Sequence, residues 1–329
     1  MKNKNYNYGT AILAAFEYLL ENYREVFIIG QGLWSPWYVG NTMTDLDKKF
    51  GIERVIDTPV SESASTGAAV GASLSGMKPI VVHPRMDFML YAMDVVVNQA
   101  ANWSHMFGGQ AHPNVTIRSI INRGGEQGAQ HSQALHAWFA HVPGLRVVMP
   151  STVADARDLL IASVLCNDPV MFIDDRWLYD QEDDLPPIVE IDLATQRPIV
   201  SLRGNDITIV ASGHSSLLAR EAAQLLKSKG ISVEVVDIRV LNPLHTEVII
   251  ESVKKTKNLL VVDSGWTSGG FSAEIIAKVV EQLPVDCLNN SPVRIALPDA
   301  PAPSSRVLEK AYYTSTDDLV EATKKILKK

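Results

Sequence analysis

Cysteine is scarce in this 329-residue chain: Cys166 and Cys287 stand alone, far apart, with no CxxC pair. That excludes a disulfide framework and fits a reducing cytoplasm. Long apolar runs are missing too, so no transmembrane helix is expected. The stretch Ala11 to Leu20 is interrupted by Glu17 and reads as an amphipathic helix rather than a signal peptide. Positive charge is neither in excess nor clustered. Lys and Arg total 30 against 37 Asp and Glu, a net charge of −7, and no basic run reaches five residues. Nucleic acid and anionic membranes are therefore poor candidates for a main partner. The acidic residues are dispersed and form no tail. P-loop, GxGxxG, HExxH and GxSxG patterns are all absent. The histidines fall into no clear zinc-ligand spacing with the cysteines.

What is present is an alternation of short apolar runs and amphipathic stretches, at a length that suits two domains. Apolar residues make up 46% and charged residues 20%, as in a globular protein. Strand patterns at Val26 to Gly30, Arg54 to Asp57, Lys78 to Val82, Val115 to Ile120, Arg146 to Met149 and Val170 to Ile173 alternate with helical ones. Met89 to Trp103 reads as one long helix. From Gln181 to Pro187 the chain turns acidic and proline-containing, which suggests a linker reaching about Gly204. A second series of strand and helix patterns follows, from Asp206 to Lys328. The expectation is α/β architecture with two doubly wound, mostly parallel sheets. The domains would be residues 1–190 and 205–329, joined by a linker at 191–204.

Three segments carry candidate chemistry. Asp57-Thr58-Pro59-Val60-Ser61-Glu62 delivers a carboxylate after a proline turn, just before a helix rich in Ala, Gly and Ser. Arg85-Met86-Asp87-Phe88 follows a strand directly, and Gln130-His131-Ser132-Gln133 follows the glycine-rich loop Gly124 to Gln130. All lie where strands end and helices begin, the edge at which open α/β sheets bind ligands. On residue chemistry alone Glu62 is first a helix-start carboxylate, worth about 1 kcal/mol. Phe88 and Val60 also suit an ordinary core, and His131 suits a helix cap.

The sequence resembles, nearly end to end, the beta subunit of the decarboxylating component of 2-oxo acid dehydrogenase complexes. DTPVSE resembles that family's DTPISE, and AQHSQ its AQHSQ or YHSQ. HVPGLRVVMPS resembles HCPGLKVVSPW, and DAPAPSSRVLE its DVPMPYAKILE. Ile238-Arg239 with Asn242-Pro243 resembles its second-domain pattern. The resemblance implies a thiamine diphosphate enzyme with a pyrimidine-binding domain and a transketolase C-terminal-like assembly domain. Glu62 takes the position of the glutamate that hydrogen-bonds N1′ of the aminopyrimidine and favours its imino tautomer. Phe88 falls where an aromatic packs on that ring, and Val60 lies close to it. His131 matches the histidine that faces the reacting centre, where it binds the substrate carboxylate or protonates the acceptor's leaving sulfur. Val115, Ser163, Val164, Cys166 and Asp168 match a loop that binds potassium, with Cys166 replacing the usual aspartate.

A GDG motif followed by Asn, which holds magnesium and diphosphate in such enzymes, is missing. The resemblance therefore implies an alpha partner carrying that half of the cofactor, in an α₂β₂ heterotetramer. It also implies a 2-oxo acid substrate and a lipoyl acyltransferase or another acceptor. A split transketolase-like subunit and a catalytically silent structural subunit are the alternatives. The chain departs from the family where Gly30-Gln31-Gly32 replaces a glycine and two acidic residues. Gln31 cannot relay a proton. Trp34, Trp37 and Tyr38 follow in an unusual aromatic segment, and Arg123-Gly124-Gly125-Glu126 replaces small residues.

Overall fold

Strand-forming runs of Val and Ile build two sheets, each with helices supplied by the segments between its strands. The computed structural model describes residues 4–328. They fall into two compact units, one comprising residues up to Arg123 with Trp138–Gln196, the other Gly124–Ala137 with Arg197 onward. The first unit contains strands β1 (Lys4–Asn7), β2 (Val26–Gln31), β3 (Val55–Thr58), β4 (Lys78–His83), β5 (Thr116–Ile121), β6 (Arg146–Val148), β7 (Val170–Asp175) and β8 (Glu182–Leu185). Six of them form a parallel sheet in the order β6-β7-β5-β4-β2-β3. β5 and β7 are buried at every position, as expected of central strands covered on both faces. The helices Tyr8–Asn22 and Val153–Leu165 pack against each other. Thr152 caps the latter by accepting from the Asp155 N–H at 3.1 Å.

The second unit adds β9 (Ile199–Leu202), β10 (Ile207–Ala211), β11 (Val233–Asp237), β12 (Val240–Asn242), β13 (Leu259–Trp266) and β14 (Val293–Leu297). Its sheet runs β14-β13-β10-β11-β9, parallel except at the β9 edge. A core of Ile207, Ile209, Val235, Leu260, Ala222 and Leu319 lies between this sheet and the helices Gly213–Lys227 and Thr316–Leu327. Among the described residues no helix is long and apolar enough to cross a membrane.

Three features differ from the sequence reading. The stretch Met89 to Trp103 is not one α-helix. It passes through a 3₁₀ turn at Leu90–Ala92 and a π-helix at Val95–Ala101 before Asn102–Met106 resumes α geometry. Successive β-branched valines at 95–97 crowd a regular α turn. The acidic run after Gln181 is not linker at its start, because Glu182–Leu185 pairs antiparallel with Lys4–Asn7. The segment 191–204 is not uniform linker either. The unit boundary falls at Gln196, and Ile199–Leu202 is the antiparallel edge of the second sheet.

Candidate functional site

The edge formed by β2, β3 and β4 is built on close backbone approach. A Cβ on Gly30 would lie 2.3 Å from the Val82 carbonyl oxygen, so only glycine lets β2 meet β4 there. The chain then turns at Gly32, whose φ is +70°. Asp57, at the end of β3, accepts the N–H groups of Gly32 and Leu33 at 2.6 and 3.3 Å. Asp57 belongs to the same motif as Glu62, yet it organises the aromatic segment. Its signal was available: a carboxylate opposite a turn rich in free N–H groups. The Trp34 indole donates to the Val55 carbonyl at 2.8 Å, and the Gln31 amide donates to the Tyr38 hydroxyl at 3.1 Å.

Beyond Pro59 and Val60 begins the helix Glu62–Ser73. Its Ala, Gly and Ser residues allow close packing against β4, Met86–Met89, Leu90–Ala92 and Val95–Ala101. Glu62 stands in the first turn, half-buried. Its carboxylate has no hydrogen-bond or ion-pair partner among the described residues. One turn on, Thr66 Oγ1 meets His83 Nε2 at 3.1 Å. Burial lowers the His83 pKa to about 3, so the ring is neutral. This bond ties the Glu62 helix to the end of β4, which leads directly into Phe88. Val60 is 70% exposed and Phe88 36% exposed, unusual for apolar side chains beside a tightly packed helix. The structure thus brings Val60, Glu62 and Phe88 onto neighbouring elements at one sheet edge.

Under the same unit lies a sealed polar network that the motifs did not reveal. Arg118 on β5 binds Asp174 on β7 through two contacts of 3.0 and 2.8 Å, with both side chains fully buried. Its remaining donors reach Thr42 Oγ1 at 2.8 Å and the Tyr179 hydroxyl at 2.9 Å. Tyr179 also donates to Asp174 and stacks on Tyr8. Burial and then the charge of Asp174 push both tyrosines well above their ordinary range. Arg123 and Asp175 form a second buried pair, over which Trp177 places its ring.

His131 belongs to the segment Gly124–Ala137 of the second unit, where it is partly exposed. Within that unit His136 Nε2 lies 2.8 Å from Asp263 Oδ1. Asp263 also accepts the N–H groups of Gly265 and Ser272 at 2.9 and 2.8 Å. Burial opposes its charge, but His136 and these N–H groups hold its pKa at about 2. The five residues matched to a potassium loop sit at the start of β5 and the end of the helix Val153–Leu165. Ser163 Oγ donates to the Leu159 carbonyl at 2.6 Å. The Val115 carbonyl accepts from the Val170 N–H at 2.9 Å. Asp168 pairs with Arg146 at 2.6 Å, which spends its charge within the chain.

Two family models match the chain: "Transketolase, pyrimidine binding domain" over residues 4–181 and "Transketolase, C-terminal domain" over residues 198–319. A pyruvate dehydrogenase E1 component subunit beta from Rhizobium meliloti is 34% identical over 302 residues, covering 92% of this chain and 65% of that protein. The beta subunit of an acetoin:2,6-dichlorophenolindophenol oxidoreductase from Cupriavidus necator is 38% identical over 282 residues, covering 84% of this chain and 81% of its own length. A solved structure described as a split gene transketolase, inactive beta4 tetramer, aligns with a TM-score of 0.77 at 23% identity, covering 98% of this chain and 96% of the other. At that identity the likeness is one of fold.

Proposed function

Because the chain belongs to the transketolase-like family that includes the beta subunits of pyruvate dehydrogenase and acetoin oxidoreductase, we propose that it is the beta subunit of a heteromeric, thiamine diphosphate-dependent 2-oxo acid dehydrogenase. The observation that carries this reading is the Glu62 carboxylate. It is half-buried at a helix start and unpartnered among the described residues, and Val60 and Phe88 lie exposed on adjoining elements. A flat heterocycle with a basic ring nitrogen suits that arrangement: its face covers the apolar side chains and its nitrogen completes the carboxyl group. The aminopyrimidine of thiamine has both.

Thiamine diphosphate, when bound, supplies the electron sink for decarboxylation. Glu62 holds a proton at N1′ of the pyrimidine and so sets the basicity of the neighbouring amino group. Val60 and Phe88 fix the ring and keep water from it. His131 binds the substrate carboxylate or gives a proton to the departing sulfur of the acceptor. The diphosphate and magnesium belong on an alpha chain, in an α₂β₂ assembly, with a lipoyl acyltransferase as acceptor. Turnover by this chain alone would refute the split site.

The direct test is Glu62→Gln in the complex reconstituted with its alpha chain. Exchange of the C2 proton on bound thiamine diphosphate should slow by about 10²- to 10⁴-fold. Unchanged exchange removes Glu62 from the mechanism.

A further inference from the structure

Glu126 occupies left-handed backbone, with φ +63°, in a loop where Gly124, Gly125 and Gly128 also take positive φ of 83°, 65° and 70°. Glycine adopts these angles freely; a glutamate there is strained and must be held. Two reciprocal ties hold it. The Glu126 N–H donates to both oxygens of Glu309 at 3.1 and 3.2 Å. The Glu126 carboxylate accepts the Arg306 N–H and its Nη2, each at 3.3 Å. Arg306 and Glu309 lie in the first turn of the helix Arg306–Tyr312, so the exchange works as a capping box does within one helix. Gly128 rests against the same segment: a Cβ there would lie 3.4 Å from Ser304 Cβ.

The other end of the loop is anchored differently. His136 is 1% exposed, and its Nε2 reaches Asp263 on β13 at 2.8 Å, with Phe271 edge-on to its ring. Gly265 makes room, since a Cβ there would lie 3.3 Å from His136 Cε1. Between the two anchors, five residues from each, stands His131.

We infer that Glu126 and His136 are positioning residues, two clamps that fix the loop carrying His131 to the frame of the second unit. His131 then meets its reactants in one place, and no ordering is needed in each turnover. The inference rests on the role proposed above for His131. The Glu126–Arg306 pair is exposed and weak as an ion pair alone. Its force comes from the reciprocal backbone bonds and the strained residue they retain.

Hydrogen exchange of residues 124–137 in the whole chain, alone and with its alpha partner, reads the clamps without any need for turnover. Glu126→Gly removes the carboxylate bonds to Arg306 and keeps the N–H donation to Glu309, so the excess exchange in that variant over Glu126→Gln and over a Glu309→Ala variant reports the carboxylate tie. Exchange across the segment should rise about tenfold in Glu126→Gly and in His136→Gln, with the sheet of the second unit unaffected. Glu126→Gln, which still offers an oxygen to Arg306, should restore most of the protection. Wild-type protection in Glu126→Gly overturns the clamp, and that variant carries the test if His136→Gln does not fold.

The use of the clamp is read in the reconstituted complex with pyruvate as donor, once with a lipoyl acceptor and once with 2,6-dichlorophenolindophenol. Glu126→Gly should lower kcat, and should add nothing in a His131→Ala background, since coupled residues are non-additive. A full additional loss in that background overturns positioning through His131. A rate indifferent to His131→Ala with both acceptors sinks the catalytic reading of that histidine, while the exchange data still judge the clamps separately.

Discussion

Carboxylates in the first unit are treated in two ways. Asp174 and Asp175, at the end of β7, are sealed from water and held by Arg118, Arg123 and Tyr179. Glu62, at a helix start on the edge of the same sheet, is half-buried and its carboxylate engages nothing among the described residues. A buried carboxylate without a partner is costly, so a chain pairs every one that it closes off itself. One left open, beside exposed Val60 and Phe88, is free to be completed by another molecule, as the proposed cofactor site requires. On the proposed function, the contrast separates carboxylates that serve stability from one assigned to chemistry.

The largest effect should therefore appear where the charge is sealed. Arg118→Met strands Asp174 in the core and should cost about 3–5 kcal/mol in urea unfolding. Adding Asp174→Leu should recover much of that loss. Glu62→Gln, which changes a helix-start charge, should move stability by less than about 1 kcal/mol while removing most cofactor activation. Equal stability losses for Arg118→Met and Glu62→Gln would erase the distinction between the two kinds of site.

The bond between Thr66 and His83 sharpens the contrast through pH. The folded-state pKa of His83 is about 3, against an ordinary 6.5. The unfolded chain therefore binds the proton first, and stability is lost as pH falls from 6.5 toward 3. The slope from this group should approach about 1.4 kcal/mol per pH unit between roughly pH 4 and 6. Asp263 adds a loss of the same sign only lower, between its ordinary 3.8 and about 2. His83→Asn should flatten the upper window and leave the lower one; an unchanged slope above pH 4 would assign it to other groups.

Much of this architecture was legible because the period of the apolar pattern is local. The strands Val26–Gln31 and Lys78–His83 fall where the spacing puts them. What was not legible depends on pairing across long sequence distances. The acidic strand Glu182–Leu185 has a burial pattern of a loop and becomes a strand only through Lys4–Asn7. Asp57 reads as part of one catalytic motif, but its oxygen is spent on a turn 25 residues earlier. Arg118 and Asp174 lie 56 residues apart in runs that otherwise look like plain buried strands. Glu126 looked like a departure from small residues, and its tie to Arg306 spans 180 positions. The place of Glu62, Phe88 and Val60 near strand ends was legible, because topology gathers ligands at that edge, but the roles proposed for them came from the family resemblance, since residue chemistry alone left each with an ordinary structural part.

The smallest expected change, in cofactor binding by a Phe88 variant, tests the apolar side of the contrast against a buried phenylalanine as reference. Phe172 on β7 is fully buried, whereas Phe88 keeps 36% of its surface in contact with solvent. Phe172→Ala should cost about 3–5 kcal/mol of stability, the transfer loss plus the cavity it leaves. Phe88→Ala should cost about 1–2 kcal/mol in the isolated chain, clearly less than Phe172→Ala, because a ring already more than a third exposed has less burial to lose and leaves no sealed cavity. In the reconstituted complex the same change should weaken thiamine diphosphate binding by about 0.5–1.5 kcal/mol, the worth of one aromatic contact, or roughly two- to twelvefold in Kd. Calorimetric titration of the cofactor measures this directly. A Phe88→Ala complex that binds thiamine diphosphate as the parent does, yet unfolds as easily as Phe172→Ala, would make Phe88 a core residue and leave the chemistry proposed for Glu62 without its apolar wall.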